Sequence, residues 1–277
     1  MDVSNLLALR PGRIEGWQYS RKVYWLGQLQ VPSGRLRACD PFANLDDGLV
    51  FPIPPGRYPV YVTVADVSDA QNGSQLRESY LSLVLADGQP ARLGTLIPEN
   101  AAPPAGPPSD NDDFYGVPVY AGTVGFTDAD AVARCMPEGD WYEQFFDNGE
   151  DDSWFALMDS PQHHIENCAN IVLPNATAGE NVVLCHSGWG DGFYPVIASY
   201  DGAGKLLAVH IDLLVEEAEG APAGGPGSAT PGAAATSSQP SSPGTSRASA
   251  PESAGVDDAT DTQKRPGFWR RLFGFDD

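Results

Sequence analysis

Residues 193–215 read FYPVIASYDGAGKLLAVHIDLLV, and this stretch decides how the chain folds. Two apolar segments flank the polar turn 201–204, a pattern typical of a β-hairpin. In the second segment His210 and Asp212 fall on one face. The opposite face carries only apolar residues, namely Leu207, Val209, Ile211, Leu213 and Val215. Because alternate residues of a strand share a face, the stretch predicts a closing β-hairpin whose second strand has one apolar face.

The segments before this hairpin also favour strands. Residues 23–31 and 35–39 flank the turn signal Pro32-Ser33-Gly34, which predicts a second hairpin. Residues 58–67 carry strand formers at both parities, so we expect a strand that is buried on both faces. Further strands are predicted at 80–85, which pairs with 58–67, and at 93–97, 117–124 and 182–185.

Helix signals are few. Thr127 or Asp128 can cap a short helix that starts in the acidic segment after them, and residues 141–146 favour another. The predicted fold class is therefore β-rich α+β, mostly antiparallel sheet with a few short helices and a disordered C-terminal linker.

Composition divides the 277 residues into unequal parts. From 218 to 256 all but five residues are Ala, Gly, Pro, Ser or Thr, which bury too little apolar surface to offset the entropy of ordering. The predicted organisation is an N-terminal extension (1–15), a globular domain (16–217) with a lobe boundary at the proline-rich segment 98–113, a linker (218–263) and a terminal peptide (264–277).

Charge and hydropathy exclude several function classes. The formal net charge is -21, which argues against nucleic acid or anionic lipid as a partner of the main body. No apolar run approaches the roughly 20 residues of a membrane span, and residues 1–7 lack the features of a secretory signal, so we expect a cytoplasmic protein. The scattered cysteines are then expected to be reduced and buried, namely Cys39, Cys135, Cys168 and Cys185.

Four strings carry a family resemblance. They are VPSGRLRACDP (31–41), PPGRYPV (54–60), AGTVGFTDADA (121–131) and SGWGDGFYP (187–195). In this order they resemble a mainly bacterial family known as domain of unknown function 4241, over roughly residues 26–215. The resemblance implies a single domain and no particular activity. One position departs from the family, because Tyr120 stands where relatives commonly carry Asp.

The Gly188–Gly192 string places three glycines in five residues, which indicates positive φ angles or close backbone approach. One interpretation is a recognition loop in which Trp189 and Tyr194 contact a partner and Asp191 is its polar anchor. The other is a tight turn in which Trp189 packs onto the core and Asp191 caps the turn.

Three charged residues of the strings lie at predicted strand ends, and we treat them as candidate binding residues: Arg35, Asp40 and Arg57. Basic residues are few beside the acidic ones, with Lys+Arg 16 against Asp+Glu 37, so a structural bridge from Asp40 to Arg35 or Arg57 is expected. The alternative is an arginine that binds an anion through both of its parallel N–H groups.

Catalytic and metal patterns are weak. His163, His164, Cys168, Cys185 and His186 do not have zinc-ligand spacing, so no metal and no cofactor is predicted. A hydrolase-like site that combines Asp191 with His186 or His210 can be drawn. No Gly-x-Ser-x-Gly nucleophile motif accompanies it.

The terminal peptide differs from the linker before it. Its apolar residues fall on one helical face while two arginines lie off that face: Phe268, Trp269, Leu272 and Phe273 against Arg270 and Arg271. Such a peptide can dock in a groove of another protein, fold back on its own acidic domain, or contact a membrane surface weakly.

These features favour a non-enzymatic, cytoplasmic protein-binding module with a tethered docking peptide. One concrete version of this hypothesis has a toxin to be neutralised, or an enzyme to be regulated, as the protein partner. The alternative function is the hydrolase-like enzyme.

Overall fold

Two antiparallel sheets pack face to face around the main apolar core. The computed structural model describes residues 3–99, 101, 114–160 and 165–219. The strands are β1 (Gly12–Arg13), β2 (Ser20–Val31), β3 (Arg35–Cys39), β4 (Leu49–Pro52), β5 (Gly56–Asp66), β6 (Leu76–Val84), β7 (Arg92–Thr95), β8 (Gly116–Val119), β9 (Thr123–Asp128), β10 (Cys168–Val172), β11 (Asn181–His186), β12 (Gly192–Tyr200) and β13 (Leu206–Asp212). The predicted β-rich fold with mostly antiparallel strands is confirmed.

The large sheet has the order β1-β2-β5-β6-β13-β12-β7, with β8 also paired to β12. The small sheet has the order β10-β11-β9-β3-β4. The quoted hairpin is formed by β12 and β13, which pair Val196 with Ile211 and Ile197 with His210. The expected pairing of β6 with β5 is also confirmed.

Helices cover the outer face of the small sheet. They are α1 (Ala129–Cys135), α2 (Trp154–Asp159) and a π-helical turn (Tyr142–Phe146). Asp128 caps α1 by accepting the Ala131 N–H at 2.9 Å, as its position predicted. The helices and this sheet face share a second apolar cluster that includes Val132, Trp154 and Met158.

The predicted hairpin of residues 23–31 and 35–39 is wrong. β2 lies in the large sheet and β3 in the small one, so the turn between them carries the chain across the sandwich. Ser33 fixes this crossing, because its N–H and hydroxyl both donate to Asp128, at 2.8 and 2.7 Å. Each strand buries its apolar face against the other sheet.

The predicted strand 117–124 is divided for the same reason. β8 pairs with β12 in the large sheet, whereas β9 lies between β11 and β3 in the small sheet. Residues 120–122 make the crossing between them.

The N-terminal residues pack on the outer face of the large sheet. A 3-10 turn (Val3–Asn5) leads into Leu6, Leu7 and Ala8, which form an apolar cluster with Tyr80, Leu93 and Ile197. The N–H of Leu9 donates to the Thr63 hydroxyl at 3.1 Å and so ties this segment to β5. His210, on the non-core face of β13, is therefore buried as well.

The chain after β13 returns to the N-terminal residues. Trp17 bridges with Ala218, the Glu219 N–H donates to the Gly16 carbonyl at 2.9 Å, and Arg13 pairs with Glu219 at 3.0 Å. Contacts with the domain thus continue two residues past the predicted boundary at 217.

Most of the predicted lobe boundary 98–113, nearly all of the linker 218–263 and the whole terminal peptide 264–277 lie outside the described residues. The inner core nevertheless draws on residues from both sides of 98–113, such as Leu96 and Val117. Within the described part of the chain, no helix has the length and apolar character that crossing a membrane requires.

Candidate functional site

Three of the four motif strings meet at one end of the sandwich. Asp40, which follows β3, is fully buried, and its Oδ2 accepts the N–H groups of Tyr120 and Ala121 at 2.9 and 2.7 Å. Its Oδ1 accepts the Thr123 hydroxyl at 2.6 Å and the Phe42 N–H at 3.3 Å. Burial raises the pKa of this carboxyl, and the hydrogen bonds lower it in part. One carboxylate thus holds the crossing between the sheets.

The glycine-rich loop is attached to the same crossing. The Ser187 N–H donates to the Gly122 carbonyl at 3.0 Å. Within the loop, the Gly190 carbonyl accepts the hydroxyls of Ser187 and Tyr194 at 2.6 and 2.8 Å. Gly188 has φ of 71°, and a Cβ there would lie 2.8 Å from the Glu78 carbonyl oxygen. The loop is a tight turn whose close approach to β6 requires glycine.

Aromatic side chains are exposed on these two loops and on the neighbouring segments that contain Phe114 and Phe193. Tyr120 is 70% exposed, and Trp189 is 41% exposed and lies 5.4 Å from the guanidinium of Arg77. Phe193 is also exposed, and its ring centre is 5.9 Å from that of Phe114. We call the surface formed by Phe114, Tyr120, Trp189 and Phe193 the tip surface. Exposed aromatic side chains that polar loops hold in place are typical of protein-binding sites.

A buried carboxyl lies behind the loop. Glu78 of β6 is 4% exposed and accepts the Asn167 side-chain N–H at 3.3 Å. Burial raises the pKa of Glu78 to about 7. His186 is close enough to Arg77 for its charge to act with burial in lowering the pKa of the imidazole to about 4. At neutral pH the histidine is therefore uncharged.

The family model for proteins of unknown function DUF4241 matches residues 29–211, and all four motif strings fall within this range. The chain belongs to the DUF4241 family. Comparisons with curated proteins and with solved structures found no match in either set.

The DUF4241 strings contain the candidate charged residues, but the expected bridge from Asp40 to an arginine is wrong. Arg35 instead pairs with Glu99, at 2.8 Å, and with Asp130 at the other end of β3. Arg57 is exposed on β5 and forms no ion pair within the described residues. Asp40 instead accepts hydrogen bonds from backbone and hydroxyl donors.

The loop residues have separate roles. Trp189 and Asp191 are exposed, whereas Tyr194 is 4% exposed and uses its hydroxyl to shape the turn. Asp191 accepts no hydrogen bond from any described residue, so the interpretation in which it caps the turn is wrong. We therefore assign Tyr194 to the scaffold and retain Trp189 and Asp191 as contact candidates.

The candidate hydrolase residues do not form one site around His210. Its two ring nitrogens lie 2.8 Å from the Ser82 hydroxyl and 3.1 Å from the Ser199 hydroxyl, and Asp191 is not among its partners. His163 and His164 lie outside the described residues. The four cysteines are buried and unpaired as disulfides, and burial raises the pKa of each thiol, which makes it a poor nucleophile.

Sequence reasoning missed Arg77, Glu78 and Phe114. Arg77 and Glu78 lie more than 100 residues before the glycine-rich loop that they approach, and no local pattern connects the two. Phe114 follows a segment of prolines and acidic residues that indicates an exposed loop. An aromatic residue at the end of such a loop is the one sequence signal that could have identified Phe114 as a surface contact.

We predict that Asp40→Asn destabilises the domain. In asparagine an NH2 donor replaces one carboxylate oxygen, so it faces at least one of the N–H or O–H groups that donate to Asp40. About 1–3 kcal/mol of unfolding free energy should therefore be lost. Urea unfolding followed by tryptophan fluorescence measures the loss, with the exposed neighbour Asp47→Asn as the control. Equal stability of the two variants would contradict the clamp.

We also predict that ionisation of Glu78 makes the unfolding free energy fall as the pH rises. With a raised pKa, the folded protein holds a proton between about pH 4.5 and 7 that the unfolded chain has released, so unfolding free energy falls across this window. Glu78→Gln should remove this fall and increase stability at pH 8 by on the order of 1–3 kcal/mol.

The quantity to follow is the difference in unfolding free energy between variant and parent at each pH. Burial raises the pKa of Asp212 to about 6, so Asp212 also lowers the unfolding free energy as the pH rises. His186 and His210 have pKa values lowered to about 4, so below pH 6.5 they increase the unfolding free energy as the pH rises. The exposed Glu143→Gln serves as the control. A Glu78→Gln profile parallel to that of the parent would refute the prediction.

Proposed function

We propose that this DUF4241 protein is a non-enzymatic, cytoplasmic protein-binding module that engages its partner through the tip surface. The observation that supports it most strongly is the exposure of Tyr120, Trp189 and Phe193 beside the place where three motif strings are hydrogen-bonded together. The hydrogen bonds fix the loops, so little conformational entropy is lost when a partner binds.

The chemistry of the surface indicates the kind of partner. The aromatic rings suit apolar side chains of another protein, and the guanidinium of the half-buried Arg77 lies over the ring of Trp189. The net charge of -21 attracts a basic protein and speeds its encounter. The proposed partner is therefore a basic protein with exposed apolar side chains, such as a toxin that is neutralised or an enzyme that is regulated.

The proposal predicts that Trp189→Ala and Phe193→Ala reduce partner capture. Truncation of a central aromatic contact costs about 2 kcal/mol or more, which corresponds to roughly 30-fold weaker binding. The measurement is affinity purification from the host with mass spectrometry, followed by titration of the recovered partner. Trp25→Ala is the matched control, because Trp25 is 57% exposed on β2, away from the tip loops. A partner captured equally by all three variants would refute the role of the tip surface.

The terminal peptide is proposed as a second contact, tethered so that its effective concentration near a bound partner is high. A chain that ends at Glu219 keeps the contacts with Gly16 and Arg13 and removes Phe268, Trp269 and Leu272 with the remaining docking residues. We expect the shortened protein to retain the partner with lower affinity. Complete loss of the partner on truncation would instead assign recognition to the peptide.

A further inference from the structure

A cavity of about 520 Å³ lies between the N-terminal segment and the outer face of the large sheet. Val3, Leu6 and Leu9 line it on the segment side, and Val84, Leu207 and Ala208 line it on the sheet side. Its volume is in the range of about 300–1,000 Å³ that is typical of small-molecule sites. The lining is more apolar than polar, and none of the motif strings contributes to it.

The sheet side of the cavity carries an organised polar group. Ser199 and His210 both line the cavity and are each 1% exposed. The imidazole lies between two hydroxyls, with Nε2 3.1 Å from Ser199 Oγ and Nδ1 2.8 Å from Ser82 Oγ. Burial lowers the pKa of His210 to about 4, so the ring is neutral at physiological pH. Because a hydroxyl has one proton and two lone pairs, Ser199 retains hydrogen-bonding capacity toward the cavity.

The charged residues of the cavity are exposed and have opposite signs. Arg10 donates from Nη1 to the Ser4 carbonyl at 3.1 Å, and Asp87 lies in the loop after β6. A charged ligand group beside His210 would have no counter-ion there and would lose its hydration, which is costly. A neutral hydroxyl or carbonyl group would instead find a hydrogen-bond partner.

We propose that this cavity binds a small uncharged molecule that has an apolar body and one hydroxyl or carbonyl group, and that this group hydrogen-bonds to the Ser199–His210 pair. The site is independent of the tip surface. It adds small-molecule recognition to a protein whose other proposed contacts are with proteins.

The test uses the full chain and three probes of similar shape: 1-naphthol, naphthalene and 1-naphthoate. Binding is followed by probe fluorescence and by chemical-shift changes of the histidine ring protons. We expect 1-naphthol to bind roughly threefold to tenfold more tightly than naphthalene, as one buried hydrogen bond provides, and the carboxylate to bind more weakly than the alcohol.

Two variants locate the site. Ser199→Ala should remove most of the preference for 1-naphthol over naphthalene, and Ala208→Phe should fill the cavity and reduce binding of both. Ala203→Phe, in the exposed turn after β12, is the matched control and should bind as the parent does. Thermal unfolding monitored by circular dichroism establishes that each variant is folded.

Three results would overturn the proposal. One is the absence of 1-naphthol binding at millimolar concentration, and another is equal affinity of the parent for the alcohol and the hydrocarbon. The third is binding that both Ser199→Ala and a folded Ala208→Phe leave unchanged, which would place the probe elsewhere. If Ala208→Phe does not fold, the Ser199→Ala preference alone decides.

Discussion

The buried carboxylate of Asp40 makes the hydrogen bonds on which the loops at one end of the sandwich depend. Where the chain of a sandwich crosses from one sheet to the other, its backbone N–H groups have no strand partner and need another hydrogen-bond acceptor. Asp40 accepts two of these groups, from Tyr120 and Ala121, and also binds Thr123 at the start of β9. The next residue of the crossing, Gly122, in turn accepts from Ser187 of the glycine-rich loop. The position of the tip surface therefore follows from one desolvated acid, whose burial is costly unless all these donors are present.

The strands could be predicted from the sequence, but their distribution between two sheets could not. Alternating apolar residues indicate that a strand has a buried face. The same alternation appears whether the next strand in the sequence lies beside the first strand or across the core from it. Pro32-Ser33-Gly34 therefore predicted a hairpin where the chain changes sheet. The β12–β13 hairpin was predictable, since its short polar turn joins two strands of the same sheet.

The candidate site shows the same division. Gly188–Gly192 was recognisable because glycine-rich turns have a local signature, and its attachment to Asp40 through residues 120–122 depends on contacts between distant segments. Tyr194 was expected as a contact from its place in the string, but alternation along β12 turns it inward. His210 and Asp212 were placed correctly on the non-core face of β13. That this face is also buried depends on the N-terminal segment, whose own sequence does not indicate what it covers.

The residues that shape the tip loops differ from those that form their exposed surface. The hydrogen bonds that shape the loops use backbone groups and the side chains of Asp40, Thr123, Ser187 and Tyr194. The exposed side chains of Tyr120 and Trp189 take no part in these hydrogen bonds. The Tyr120 backbone N–H donates to Asp40, and the Trp189 ring lies against Arg77. Substitution at these two positions should therefore change the chemistry of the tip surface and leave the loops in place. The loops of an antibody are similar in this respect, because they too present exposed side chains on a backbone that other residues hold.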